Sequence, residues 1–406
     1  MKIIWVKAGG LVPLDAGGKI RSYHIAKELA KIHEVTLFTF YVEEPNDEHH
    51  TLTSIFHKVV THPLKASAGR SVGEAVSYLK SFFATLPYSI TKYCRPEVAI
   101  HLREVLAMEK YDVILCDFLS PAAVIPFDQG IPVVMFTHNV EAMIWKRHWE
   151  VATNPLWKFV FKREYKKMRA AELRYASKST HVLTVSDADS AVFAKDINPD
   201  KITTIPTGVD IDYFQPMSGE ESDSLVFTGS MDWMPNEDGI LYFVEEILPL
   251  IRKQRPATEL WVVGRKPGSK IKALAESDPG IEITGRVEDI RPYIAKGAVY
   301  VVPLRVGSGT RLKIFEGMAM GKAVVSTTIG AEGLPVTNDA NIILADDPQH
   351  FANEVCRLLG SSAERERIGF AARTLVEEKY SWGAVAKHVD SVLRSFPSLG
   401  SEPISE

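Results

Sequence analysis

Val299–Val302 is a short apolar run. Beyond it Gly307, Ser308, Gly309 and Thr310 form a glycine-rich turn, and Leu312, Phe315, Met318 and Ala319 then recur at helical spacing. A β-branched run without polar alternation fits a strand covered on both faces, as in a parallel sheet. The turn delivers the chain to a helix start, where free backbone N–H groups and the helix dipole favour an anion. Arg311 and Lys313 add positive charge beside that turn, and Glu316, one turn further on, is placed to accept hydrogen bonds from a diol. The order predicts a phosphate-binding strand, turn and helix. An ordinary strand-loop-helix unit with solvated charges is the bland alternative.

The same alternation runs through the whole chain, as expected of parallel sheets with crossover helices. In the first half Ile3–Val6, Val35–Phe40, Val113–Cys116, Val133–Phe136 and His181–Val185 read as strands. In the second half Leu225–Thr228, Glu259–Val263, Ile281–Ile283, Val299–Val302, Ala323–Ser326 and Asn341–Leu344 do so. At 406 residues the chain exceeds what one hydrophobic core usually organises. Gln215–Ser224, polar and carrying Pro and Gly, marks the expected boundary, giving domains 1–215 and 216–382. Beyond Trp382, Val385, Val389, Val392, Leu393 and Phe396 form one apolar face of a terminal helix, 383–396.

A net charge of −4 argues against a nucleic-acid binder. Cys94, Cys116 and Cys356 show no metal-ligand spacing, which suits a reducing compartment. The amino terminus enters a strand without the apolar core of a signal peptide, and no apolar run approaches the roughly 18 residues that span a bilayer. A cytoplasmic protein is expected. The glycines of LDAGGKIRSYHIAKELA follow a strand and open a helix, but their spacing is not that of a dinucleotide-binding loop. Gly17 and Gly18 therefore read either as a tight turn or as a second phosphate cradle. His138 directly follows the VVMF strand; Asp117 and Ser186 also fall at strand ends, where they serve as helix caps or site residues.

The turn GSGTRLK leading into FEGMAMGKAVVST resembles the donor-binding segment of GT-B fold retaining glycosyltransferases of family 4 (group 1). LVFTGSMDWMPNEDG, VVGRKPG and ITGRVEDIRPYIAKG resemble the branch of that family found in bacterial exopolysaccharide clusters, and GGKIRSYHIAKELAKIHEVTLFT, VMFTHNVE and IPTGVDIDYF match its landmarks in the first half. The resemblance implies an α/β protein of two Rossmann-like parallel-sheet domains facing across a cleft. It implies transfer of a hexose from a nucleoside diphosphate sugar to an acceptor hydroxyl with retained anomeric configuration, in polysaccharide or glycolipid synthesis. Donor contacts would come from Gly17, Gly18, Gly229, Arg265, Arg286, Val287, Gly309, Thr310, Arg311, Lys313 and Glu316, with His138, Arg311 and Lys313 catalytic. No metal or cofactor is expected, the cations serving in place of one. The nucleobase would sit at Arg286 and Val287.

Two positions depart from the family pattern. Ser308 stands where many members carry a Glu eight residues before the one matched by Glu316, and the loop Gly229–Trp233 lacks the usual Arg and Lys. A nucleotide-sugar epimerase or hydrolase, or a catalytically silent sugar-nucleotide-binding subunit, are the competing readings. Finally, the region 145–178 carries ten Lys and Arg against three Glu, with Trp157, Phe161, Tyr165, Met168 and Tyr175 at helical spacing. That pattern fits peripheral contact with anionic lipid, suiting a lipid-linked acceptor, or simply a core-facing stripe with a solvated basic back.

Overall fold

The computed structural model describes residues 1–14, 16–41, 50–64, 84–93, 95–219, 223–306 and 312–396. The chain divides into two compact domains, Met1–Pro206 with Val385–Glu406, and Thr207–Ala384.

Among the described residues the first domain holds seven parallel strands: β1 (Lys2–Ala8), β2 (Glu34–Tyr41), β3 (Lys58–Pro63), β4 (Val113–Asp117), β5 (Val133–Phe136), β6 (His181–Thr184) and β7 (Ile202–Thr204). Their order is β3-β2-β1-β4-β5-β6-β7. The inner strands are buried through their middles, β4 and β5 at every residue, which is why those two lack polar alternation. Edge strands β3 and β7 are half-buried and mix Thr, His and Lys with valine and isoleucine; they carry no continuous apolar signal, and sequence periodicity misses them.

Among the described residues the second domain holds six parallel strands: β8 (Ser224–Thr228), β9 (Glu259–Val263), β10 (Ile281–Gly285), β11 (Val299–Val302), β12 (Ala323–Ser326) and β13 (Ile343–Leu344). Their order is β10-β9-β8-β11-β12-β13. In each sheet the strand order reverses once, between β1 and β4 and between β8 and β11. In open α/β sheets ligands bind outside the carboxyl ends of the strands at such switch points.

The boundary differs from the sequence expectation. It falls at Pro206/Thr207 rather than within 215–224, because Val209 and Phe214 belong to the second core and Arg373 donates to the carbonyls of Phe214 (2.6 Å) and Ile211 (3.3 Å). Composition marks the polar stretch, but packing sets the domain edge upstream of it. The terminal helix, Trp382–Arg394, belongs to the first domain from Val385 onward; within that domain His33 Nε2 and Asp390 Oδ1 lie 2.6 Å apart. Among the described residues no helix is long and apolar enough to cross a membrane.

Candidate active site

At the first switch point Lys7, the last residue but one of β1, lies directly beside Asp117, its register partner at the end of β4. Both side chains are buried, and Lys7 Nζ lies 2.9 Å from Asp117 Oδ2. The indole of Trp5 donates to the same oxygen at 2.9 Å, while His138 Nε2 meets Asp117 Oδ1 at 2.8 Å. Burial alone would raise the Asp117 carboxyl, but Lys7, His138 and Trp5 together hold it well below the usual carboxylate range. For His138 burial wins over the attraction of Asp117 and pulls the imidazole down to about 4. The ring is therefore neutral at neutral pH. Since Asp117 only accepts, Nε2 carries the proton and Nδ1 is left as an acceptor, 3.4 Å from the Arg21 guanidinium.

Helix Gly17–Ala30 is tied to these strand ends by two side chains. Arg21, fully buried, donates to the carbonyls of Thr137 (2.8 Å) and Ile205 (2.6 Å) and lies over the Phe136 ring. Burial pulls it down to about 9 against the attraction of Asp117 and Asp189, so it stays cationic at neutral pH. Ser22 donates to the Gly18 carbonyl at 2.8 Å and sits 3.2 Å from His138 Nε2. Phe118 stacks on the His138 ring at 4.3 Å with φ of 74°, a left-handed conformation rare for a bulky residue and costing about 1–3 kcal/mol. A Cβ on Gly18 would lie 3.0 Å from the Phe118 ring, tighter than an ordinary contact, whereas nothing crowds Gly17. Ser186 is a helix cap, accepting from Asp189 N–H at 3.2 Å.

The second site lies wholly within the second domain. A pocket of about 540 Å³ opens at the carboxyl ends of β8, β9 and β10 and beside helix Leu312–Ala319. Gly229, Arg265, Arg286, Val287, Lys313 and Glu316, scattered over almost ninety residues of sequence, all line it. Lys313 Nζ donates to Asn236 Oδ1 at 2.6 Å and lies 4.0 Å from the centroid of the Phe227 ring. Arg265 Nε donates to Ser230 Oγ at 2.9 Å, so the loop after β8, which has no Arg or Lys of its own between 229 and 233, borrows a cation from the end of β9. Burial raises Glu316 to about 7 against the attraction of Lys313. The turn with Gly307, Ser308, Gly309, Thr310 and Arg311 lies outside the described residues.

Two glycines shape this pocket by what they omit. A Cβ on Gly264 would lie 1.7 Å from the Gly229 carbonyl oxygen, and one on Gly229 would lie 2.6 Å from both Lys313 Nζ and Asn236 Nδ2. The ends of β8 and β9 thus touch backbone to backbone, and the Lys313 ammonium occupies the space that a side chain would fill. Asn236, Ser230, Lys7, Trp5, Arg21 and Ser22 are the partners that sequence reasoning missed. The one signal it offered was a lysine closing the apolar run IIWV before two glycines. Among the described residues, the group with metal-ligand spacing is Glu34, His57 and Glu109. It lies at the opposite strand ends, and Lys2 Nζ, 2.6 Å from Glu109 and 3.4 Å from Glu34, already pairs with both carboxylates.

Two switch-point sheets, one ending in a cation-walled pocket, make a two-domain α/β protein with a site suited to an anionic ligand. Residues 16–213 match Glycosyltransferase Family 4 and residues 222–361 match Glycosyl transferases group 1, and the chain belongs to that family. It is 21% identical over 397 residues to an uncharacterised 44.6 kDa protein of the cps region of Klebsiella pneumoniae, covering 93% of this chain and 96% of that one. It is 26% identical over 245 residues to a D-inositol 3-phosphate glycosyltransferase of Frankia alni, spanning about half of each chain (54% and 56%). The fold is that of the GT-B glycosyltransferases. Sucrose-phosphate synthase of Thermosynechococcus elongatus superposes with a TM-score of 0.66 at 17% identity over 97% of this chain and 98% of that one. Anabaena HepE in complex with UDP does so at 0.65 and 15%, over 98% and 100%.

Proposed function

We propose that this transferase moves a hexose from a nucleoside diphosphate sugar to an acceptor hydroxyl, with retention, in the synthesis of a polysaccharide or glycolipid. The observation that carries the reading is the second-domain pocket, where Lys313, Arg265 and Arg286 present three cations and Glu316 one carboxyl around a volume suited to a small ligand. Lys313, with Arg311 from the preceding turn, answers the charge that develops on the leaving diphosphate, and Gly309 and Thr310 add backbone donors. Glu316 accepts from the ribose hydroxyls; Arg286 and Val287 flank the base; Gly17 and Gly18 serve the distal phosphate. A retaining reaction without a covalent intermediate needs no carboxylate pair at about 5 Å; the departing phosphate itself takes the proton of the incoming hydroxyl. In this reading the cations stand in place of a metal, and His138 acts toward the transferred sugar or the attacking hydroxyl as a neutral ring.

Titration calorimetry with UDP, GDP, UDP-glucose and GDP-mannose tests the donor class, and NMR of the product formed with a panel of acceptors tests retention. Saturable binding of at least one diphosphate and a product whose anomeric configuration matches the donor's are expected. Absence of binding by all four would remove the basis of the reading, and an inverted product would overturn its mechanism.

A further inference from the structure

Helix Glu141–Val151 and helix Pro155–Lys178 form a hairpin of the first domain, and their exposed side bears a different pattern from their packed side. From Phe161 to Tyr175 the aromatic stripe visible in the sequence turns inward, Met168 and Tyr175 being buried and Tyr165 stacking on Trp149, whereas Trp157 at its start stacks on Phe161 and stays 53% exposed. On the opposite face, at successive three- and four-residue steps, stand Leu156, Phe159, Lys162, Lys166, Ala170, Arg174 and Lys178, all exposed. Leu156 is 68% and Phe159 59% exposed, and across the turn Val151 is 75% exposed.

What happens to the carboxylates gives that face its sign. Both glutamates of the long helix are buried, Glu164 at 4% and Glu172 at 1% exposure, with Glu172 Oε1 accepting from the Ala142 N–H at 3.3 Å. No exposed residue between Pro155 and Lys178 is acidic. Glu150, on the shorter helix, is exposed but lies 3.7 Å from Lys146. The sequence count of ten cations against three glutamates thus understates the contrast at the surface.

We infer that this face docks on an anionic lipid bilayer, Val151, Leu156 and Phe159 entering the headgroup boundary and the cationic line lying along it. Exposed large apolar side chains at one end of an all-cationic helical face match the interfacial helix: apolar burial and attraction to acidic lipid act together, and neither suffices. Because Leu156 and Phe159 share a face with Lys162, Lys166 and Arg174, the helix lies flat; an end-on approach would leave Arg174 beyond one screening length of about 8–10 Å. The surface belongs to the first domain and shares no residue with the donor pocket.

Sedimentation of the full chain with vesicles of phosphatidylcholine alone and with 30% phosphatidylglycerol tests this. Binding to the acidic vesicles only, lost at about 0.5 M salt, is expected. Lys162→Ala with Lys166→Ala should weaken it roughly 25-fold, since each cation near an acidic leaflet contributes about a fivefold effect. Leu156→Ser with Phe159→Ser should weaken it by about an order of magnitude. Brominated acyl chains should quench a fluorescence that Trp157→Phe removes. All three variants should bind nucleoside diphosphate as the parent does, which separates this surface from the donor reading. No binding to acidic vesicles at millimolar lipid, or equal binding by the parent and both double variants, would overturn the inference.

Discussion

At the strand ends of the first domain Lys7, Asp117 and Arg21 are buried and hydrogen-bonded to one another's neighbours, whereas in the second domain Arg265 and Arg286 are exposed at the wall of an open pocket. The sites occupy the same place in related sheets. One is a closed network whose groups fix the neutral His138 ring and the backbone around it; the other leaves cations for a ligand to complete. A closed network should therefore reveal itself in stability, and an open one in binding and rate.

The largest expected effect breaks the first site. Asp117→Asn leaves the Lys7 ammonium buried beside a neutral group and should cost about 3–5 kcal/mol of stability, whereas Lys7→Met combined with Asp117→Asn should recover most of that loss. Urea denaturation of the two single variants and the double variant measures it. Additive losses would show that the pair is not coupled.

The second site should respond in the opposite way. Lys313→Ala should lower transfer about 10²- to 10³-fold while changing stability by no more than about 1 kcal/mol. Equal damage to both quantities would erase the distinction between the two sites. Initial rates and a parallel denaturation curve decide it.

The smallest effect sharpens the comparison through pH. Glu316 is raised to about 7, so its burial favours the protonated form: the stability it contributes is present below about 4.5 and is lost as pH rises through 7. Glu316→Gln should remove that segment of the pH-stability curve. Ribose hydroxyls that donate to the carboxylate favour its charged form, so diphosphate binding near pH 6.5 should release a proton, and Glu316→Gln should weaken binding by about 1.5–3 kcal/mol. Calorimetry in buffers of different ionisation enthalpy reads both; a proton count unchanged in the variant would remove Glu316 from the ribose.

The inner strands were legible in the sequence because burial on both faces leaves an uninterrupted apolar signal, as in Val133–Phe136. Lys58–Pro63 and Ile202–Thr204 were not, because an edge strand needs only one covered face. The residues gathered in the second-domain pocket came from family resemblance at separated motifs, and parallel topology explains their convergence: each follows a strand whose carboxyl end points the same way. Lys7 was opaque. A lysine closing a strand ordinarily marks the chain leaving the core, and only the register with Asp117, 110 residues away, reveals a buried counter-ion. The inward turn of Glu164 and Glu172 was equally invisible, since helical spacing gives faces but not which face is covered.

Because the first domain takes its last helix from Val385 onward, it is not encoded as one continuous stretch. On a ribosome its sheet emerges early, yet His33 waits for Asp390 while the whole of Thr207–Ala384 is synthesised, an interval on the order of 10–40 s at about 5–20 residues per second. The second domain is continuous and can fold within that interval. Vectorial synthesis thus reverses the order that the chain's numbering suggests: the domain that begins first is the one completed last.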